Sequence, residues 1–95
     1  MTPKNRPPTA PGEILLEEFL KPKNMTQTAL AELMKVPIQR VNTLIAGKRG
    51  VTPDTAILLS RVFETTPEFW MNLQNACDLW EAQKELGDKI KTAIG

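Results

Sequence analysis

Between residues 26 and 50 the chain reads TQTALAELMKVPIQRVNTLIAGKRG, and its apolar positions recur at helical spacing in two short runs divided by a brief interruption. Thr26 offers a side-chain oxygen to the first amides of a helix that begins near Gln27 and carries Leu30, Ala31, Leu33 and Met34. Lys35 and Val36 break the period. Pro37, with a preset φ and no amide donor, suits the first position of a second helix. In that helix Val41, Leu44 and Ile45 share one face, while Gln39, Thr43 and Ala46 lie opposite and Arg40 and Asn42 flank them. Gly47 is placed to stop the helix in the left-handed conformation, and Lys48 and Arg49 follow in a basic loop. Ala31 is small where two crossing helices must approach closely.

The flanks continue the helical pattern. Pro11 opens a first helix whose core stripe is Leu15, Leu16, Phe19 and Leu20, with Glu13 and Glu17 one turn apart on a face read as solvated rather than metal-binding. Thr52-Pro53-Asp54 and Thr66-Pro67-Glu68 each join a cap, a proline and an acid, the signature of a helix start. The helix after Thr52 turns Ala56, Leu59, Val62 and Phe63 inward. The helix after Thr66 carries Phe69, Trp70, Leu73, Ala76, Cys77 and Trp80. That stripe is heavy for a small domain, so part of it is expected to face a second copy. The candidate dimer-interface residues are Phe69, Trp70, Leu73, Cys77, Leu79 and Trp80, with Leu86 leaning the same way. One of Phe69 and Trp70 is expected to anchor the fifth helix to its own domain instead. Residues 1–10, with prolines at 3, 7 and 8, read as a mobile arm carrying Lys4 and Arg6. Residues 11–86 read as one all-α, five-helix domain, and residues 87–95 as a frayed or loosely helical tail.

Composition narrows the function. Ninety-five residues with 41% apolar content allow one compact domain and leave no room for a large catalytic cleft. No histidine, no cysteine pair and no glycine-rich phosphate loop is present, so the usual general bases, zinc ligands and nucleotide cradles are missing; no enzyme activity, cofactor or metal is expected. A single cysteine, Cys77, and the lack of a signal-peptide pattern or membrane-length apolar run point to a cytoplasmic setting without membrane contact. Formal net charge is only +1, but residues 1–50 hold eight Lys or Arg against four acids, and residues 51–95 hold four against seven. A basic recognition half and an acidic body follow.

The central pair of helices has the chemistry of a DNA reader. Gln39 and Thr43 can hydrogen-bond base edges, Arg40 can engage guanine or phosphate, and these three are the candidate base contacts. Gln27, Thr28, Pro37, Asn42, Lys48 and Arg49 are placed to meet the phosphate backbone. The same residues would also suit an ordinary helix pair with a solvated face, or a protein-binding module whose helix-turn-helix no longer reads DNA.

The run TQTALAELMKVPIQRVNTLIAGK resembles the Cro and phage-repressor helix-turn-helix. PGEILLEEFL, LIAGKRGVTPDTAILLSRVF and TPEFWMNLQNACDLW resemble, in order and spacing, the HigA-type antitoxins. The resemblance covers roughly residues 11–85 and implies a lambda-repressor-like DNA-binding domain. The implied protein is a homodimer that represses its own operon at a palindromic double-stranded operator and neutralises a HigB-type messenger-RNA-cleaving toxin. A stand-alone phage or chromosomal regulator is the alternative. Such dimers hold their recognition helices roughly 34 Å apart, one DNA turn. The toxin class is usually basic, so the resemblance implies docking on acids, either Glu13, Glu17 and Glu18 or those between Glu64 and Glu85. Two residues depart from the family pattern. Lys35 stands where glycine is usual, so it is expected in a left-handed conformation at a cost of roughly 1 kcal/mol. Pro37 replaces the usual Ser, Thr or His and removes a capping side chain.

Overall fold

The computed structural model describes residues 7–94, with side chains as far as Gly87. Lys4 and Arg6 of the arm lie outside the described residues. Five helices follow one another: α1 (Pro11–Ile14), α2 (Gln27–Met34), α3 (Ile38–Ile45), α4 (Pro53–Phe63) and α5 (Pro67–Ile94), with no strand among the described residues. Pro11 opens α1 as expected, but the helix does not stay α-helical. It widens into a π-helical stretch, Leu15–Leu20, where Lys21 N–H donates to the Leu16 carbonyl at 3.0 Å and Met25 N–H closes on that of Leu20 at 2.9 Å. In an α-helix Leu20 would lie about 140° round from Leu15. A ring closed five residues back returns it toward the same side, so Leu15 and Leu20 are both fully buried.

The joint between α2 and α3 follows from two local signals. Thr26 Oγ1 accepts from Ala29 N–H at 3.0 Å and so caps α2. At the other end Lys35 adopts φ 59° and ψ 44°, letting Val36 N–H reach the Ala31 carbonyl at 3.1 Å and Lys35 N–H that of Glu32 at 3.2 Å. This glycine-type termination is carried by a lysine, as its place in the sequence required. Pro37 differs from expectation. It is the extended cap residue, φ −60° and ψ 147°, and α3 begins at Ile38, with the Pro37 carbonyl accepting from Arg40 N–H at 3.0 Å.

Leu30, Ala31 and Met34 of α2, Val41 and Leu44 of α3, and Ala56, Leu59 and Phe63 of α4 close the core around Leu15, Leu20, Val51 and Trp70. α1 lies across the end of α3 so closely that a Cβ on Gly12 would sit 2.1 Å from the Leu44 carbonyl oxygen. Phe19, Phe63, Phe69 and Trp70 form an aromatic cluster, with Phe19 and Trp70 ring centres 5.1 Å apart and Phe69 edge-on to Trp70 at 5.0 Å. Thr66 caps α5 through Phe69 N–H at 3.2 Å. Thr52 does not cap α4, because its hydroxyl turns to Asp54 and Thr55 instead. The backbone of α5 remains helical to Ile94, past the tail boundary expected at Gly87. From Glu81 to Gly87 every residue is exposed, so this stretch of α5 has no packing partner among the described residues.

Candidate nucleic-acid interface

α3 buries Val41 and Leu44 and leaves Gln39 and Asn42 exposed, with Arg40 and Thr43 half-buried between the two sides. The polar face anticipated for this helix is therefore open to a partner. Thr43 is not free to use all of its chemistry. Its hydroxyl donates to the Gln39 carbonyl at 2.7 Å, which leaves oxygen lone pairs and a methyl group for recognition.

The basic loop is held by its backbone rather than its charges. Gly47 at φ 77° lets its own N–H reach the Leu44 carbonyl at 3.1 Å, while Lys48 and Arg49 N–H close on the Thr43 carbonyl at 2.9 and 3.2 Å. The Lys48 and Arg49 side chains stay exposed. Past them, Val51 N–H donates to Gln74 Oε1 of α5 at 2.8 Å, and the same amide packs against Gly50, where a Cβ would meet Gln74 Oε1 at 2.9 Å. Gln74 Nε2 in turn donates to Asp78 Oδ1 at 2.9 Å, which fixes the amide orientation. Gln27 and Thr28 stand at the amide end of α2, half-buried and exposed respectively. Pro37 is exposed but has no donor, so any phosphate beside it would gain packing and not a hydrogen bond.

Arg40 does not project alone. One of its terminal nitrogens donates to Asp54 Oδ2 in the first turn of α4 at 3.2 Å, and Asp54 Oδ1 accepts from the Thr52 hydroxyl. The Thr52 hydroxyl, then the Thr55 amide and the Arg40 guanidinium outweigh partial desolvation and hold this carboxyl below the usual carboxylate range. Neither Asp54 nor Gln74 is a site residue by sequence pattern, since each reaches the interface across a long stretch of chain.

Among the apolar residues of α5, Phe69, Leu79 and Leu86 are exposed by 37, 50 and 54%. Leu73, Cys77 and Trp80 are half-buried, with the Lys84 ammonium 5.2 Å from the Trp80 ring centre. Trp70 is corrected. It is wholly enclosed by its own chain and its indole N–H donates to Thr65 Oγ1 at 2.7 Å, so it is the internal anchor and cannot present a surface to a second copy. The Cys77 sulfur lies 3.8 and 3.7 Å from the Pro8 and Thr9 carbonyl oxygens, which places the segment before α1 against α5. Burial, helped by Asp78 and Glu81, raises the Cys77 thiol above its ordinary value.

The sequence profile of the helix-turn-helix family matches residues 16–70. An HTH-type transcriptional regulator of Escherichia coli K12, YbaQ, is 45% identical over 97% of this chain and 86% of its own. Antitoxin HigA-1 of Vibrio cholerae is 42% identical over 96% of this chain and 86% of its own. The Pseudomonas aeruginosa antitoxin HigA, solved with the higBA promoter, is 41% identical and superposes with a TM-score of 0.84 over 90% of this chain and 92% of that one.

Proposed function

This chain belongs to the HigA-type antitoxins of the helix-turn-helix family, and from that premise we propose that it acts as a homodimer, represses its own operon and neutralises a HigB-type messenger-RNA-cleaving toxin. The observation that carries the DNA reading is the division of α3, which buries Val41 and Leu44 while Gln39 and Asn42 remain open to solvent. An eight-residue helix with one polar side uncovered has the size and chemistry to enter a major groove. In this reading Gln39, Arg40 and Thr43 meet base edges. Gln27, Thr28, Pro37, Asn42, Lys48 and Arg49 hold the register on phosphates.

A second copy is supported by α5. Leu79 and Leu86, one heptad apart and both half-exposed or more, lie on nearly the same side of a helix stretch that packs on nothing among the described residues. Phe69, Leu73, Cys77, Leu79 and Trp80 are the residues proposed for that contact, Trp70 being excluded. Two copies related by a twofold axis read both arms of a palindrome, which a single α3 is too short to do with useful discrimination. The role is binding rather than catalysis, and the proposed setting is the cytoplasm; among the described residues no helix is long and apolar enough to cross a membrane.

Titration of the chain's own promoter and of base-substituted versions tests this. Gln39→Ala should shift base preference and cost roughly 1–3 kcal/mol, whereas Lys48→Ala should weaken all sequences alike and flatten the salt dependence. Identical profiles for the two variants would refute the division of roles. Absence of any sequence preference would leave a pure protein binder, and failure to block the neighbouring toxin's nuclease would leave a stand-alone regulator.

A further inference from the structure

Resting on the DNA-reading role of α3 proposed above, we infer that Asp54 is a positioning residue for Arg40 and thereby a determinant of operator specificity that needs no contact with a base. Three observations converge on it. Both carboxylate oxygens are engaged, Oδ2 by the Arg40 guanidinium at 3.2 Å and Oδ1 by the Thr52 hydroxyl. Thr52 occupies the cap position of α4, extended at φ −101° and ψ 165°, yet makes no side-chain cap bond. The hydroxyl that would ordinarily serve the helix goes instead to a carboxylate two residues on, whose other oxygen faces Arg40 of α3. Stability does not explain the arrangement. The Asp54 side chain is 61% exposed and Arg40 29%, and an ion pair with one partner so open to solvent contributes little to folding.

The consequence for recognition is geometric. An arginine on a bare helix face samples many rotamers, and a guanidinium reads guanine only when its planar fork is presented edge-on. Fixing one terminal nitrogen on α4 restricts that plane and leaves the remaining N–H donors for a base. A carboxylate beside the groove also repels phosphate, so an Arg40 lost to the backbone gains less than one aimed at a base. Asp54 thus favours the correct base over tight binding in general.

The full-length chain is titrated against its operator and a set of single-base variants, by competition anisotropy, as wild type, Arg40→Ala, Asp54→Asn, Thr52→Ala and the Arg40→Ala/Asp54→Asn double variant. Wild type is expected to discriminate at a base pair that Arg40→Ala silences. Asp54→Asn should reduce discrimination at that pair by roughly three- to tenfold, and Thr52→Ala should act in the same direction by less. In the Arg40→Ala background, Asp54→Asn should alter discrimination at no base pair, which a merely structural effect would not reproduce. Unchanged discrimination in Asp54→Asn, or an equal effect with and without Arg40, overturns the inference. So does an Arg40→Ala chain with full base preference, although the operator reading then survives. A wild-type chain with no sequence preference removes the operator reading and the Asp54 assignment with it.

Discussion

Replacing Gly12 by alanine should destabilise the chain and weaken operator binding together, against the ordinary expectation for glycine in a helix. Glycine to alanine within a helix normally gains about 0.5–1 kcal/mol through lower unfolded-state entropy and better propensity. At Gly12 the new Cβ would stand 2.1 Å from the Leu44 carbonyl oxygen and 2.9 Å from the Ile45 Cα. Both are backbone atoms of α3, so no side-chain rotation relieves them. A carbon–oxygen contact is comfortable at about 3.3 Å, so α1 and the end of α3 must separate by roughly 1 Å. Overpacking of this kind costs about 1–3 kcal/mol, which exceeds the propensity gain.

Gly87 supplies the control, since a Cβ there meets nothing within 4 Å. Gly87→Ala should be neutral or stabilising by up to about 1 kcal/mol, while Gly12→Ala should lower the unfolding midpoint by roughly 5–15 °C at matched protein concentration. Because the displaced element is α3 itself, operator affinity for Gly12→Ala should fall by roughly tenfold with folded protein still in hand at low temperature. A Gly12→Ala chain that melts no lower than wild type and binds its operator equally well would show that α1 does not set the position of the recognition helix.

Lys35→Gly should raise stability by up to about 1 kcal/mol in urea unfolding by relieving a left-handed lysine at φ 59°, and a lower midpoint would contradict the strain argument. Leu79→Asp should leave the fold intact and raise the dimer dissociation constant at least tenfold in sedimentation equilibrium, because a half-exposed leucine contributes about 1.5–3 kcal/mol only when a partner covers it; an unmoved dissociation constant would place the contact elsewhere. Cys77 should react with iodoacetamide at pH 8 several-fold more slowly in the folded chain than in urea, since burial, helped by Asp78 and Glu81, raises its pKa above the ordinary thiol value. That shift favours the neutral thiol, so its small stabilisation is present at neutral pH and lost as pH rises through the folded value. Equal rates in the two states would overturn the prediction.

What could be read from the sequence was local. Thr26, Lys35, Gly47 and Thr66 act within four residues of themselves, and each performs the cap or stop that its position required. Thr52 looked like a member of the same set and failed because the Asp54 carboxylate two residues on, itself engaged by Arg40 of α3, takes its hydroxyl. Phe69 and Trp70 could not be told apart because adjacent apolar residues lie only about 100° apart on a helix. Which of them enters the core depends on Phe19, Phe63 and Thr65, and only the packed structure brings those together. The widening at Leu15–Leu20 left no trace in the pattern, since an apolar stripe serves either pitch. Gly12 did leave one: a glycine in a helical first turn, immediately after the proline that opens it, has no turn to make and so marks a close approach.

These non-local contacts share an outcome, since each fixes the reading element at a different point. α1 meets the end of α3 through Gly12, α4 holds Arg40 through Asp54, and α5 holds the loop after Lys48 and Arg49 through Gln74. A short helix capped only by a proline has little stability of its own, so its position is the sum of these outside contacts. The last of them has a mechanical consequence. The Gln74 amide that receives Val51 N–H lies on the helix that carries Leu79 and Leu86 outward, four residues after the buried Trp70 that ties that helix to the core. Any partner that tilts α5 about Trp70 therefore moves the backbone behind the two basic side chains, so the surface proposed for self-association and the loop proposed for phosphate contact are joined by one rigid rod.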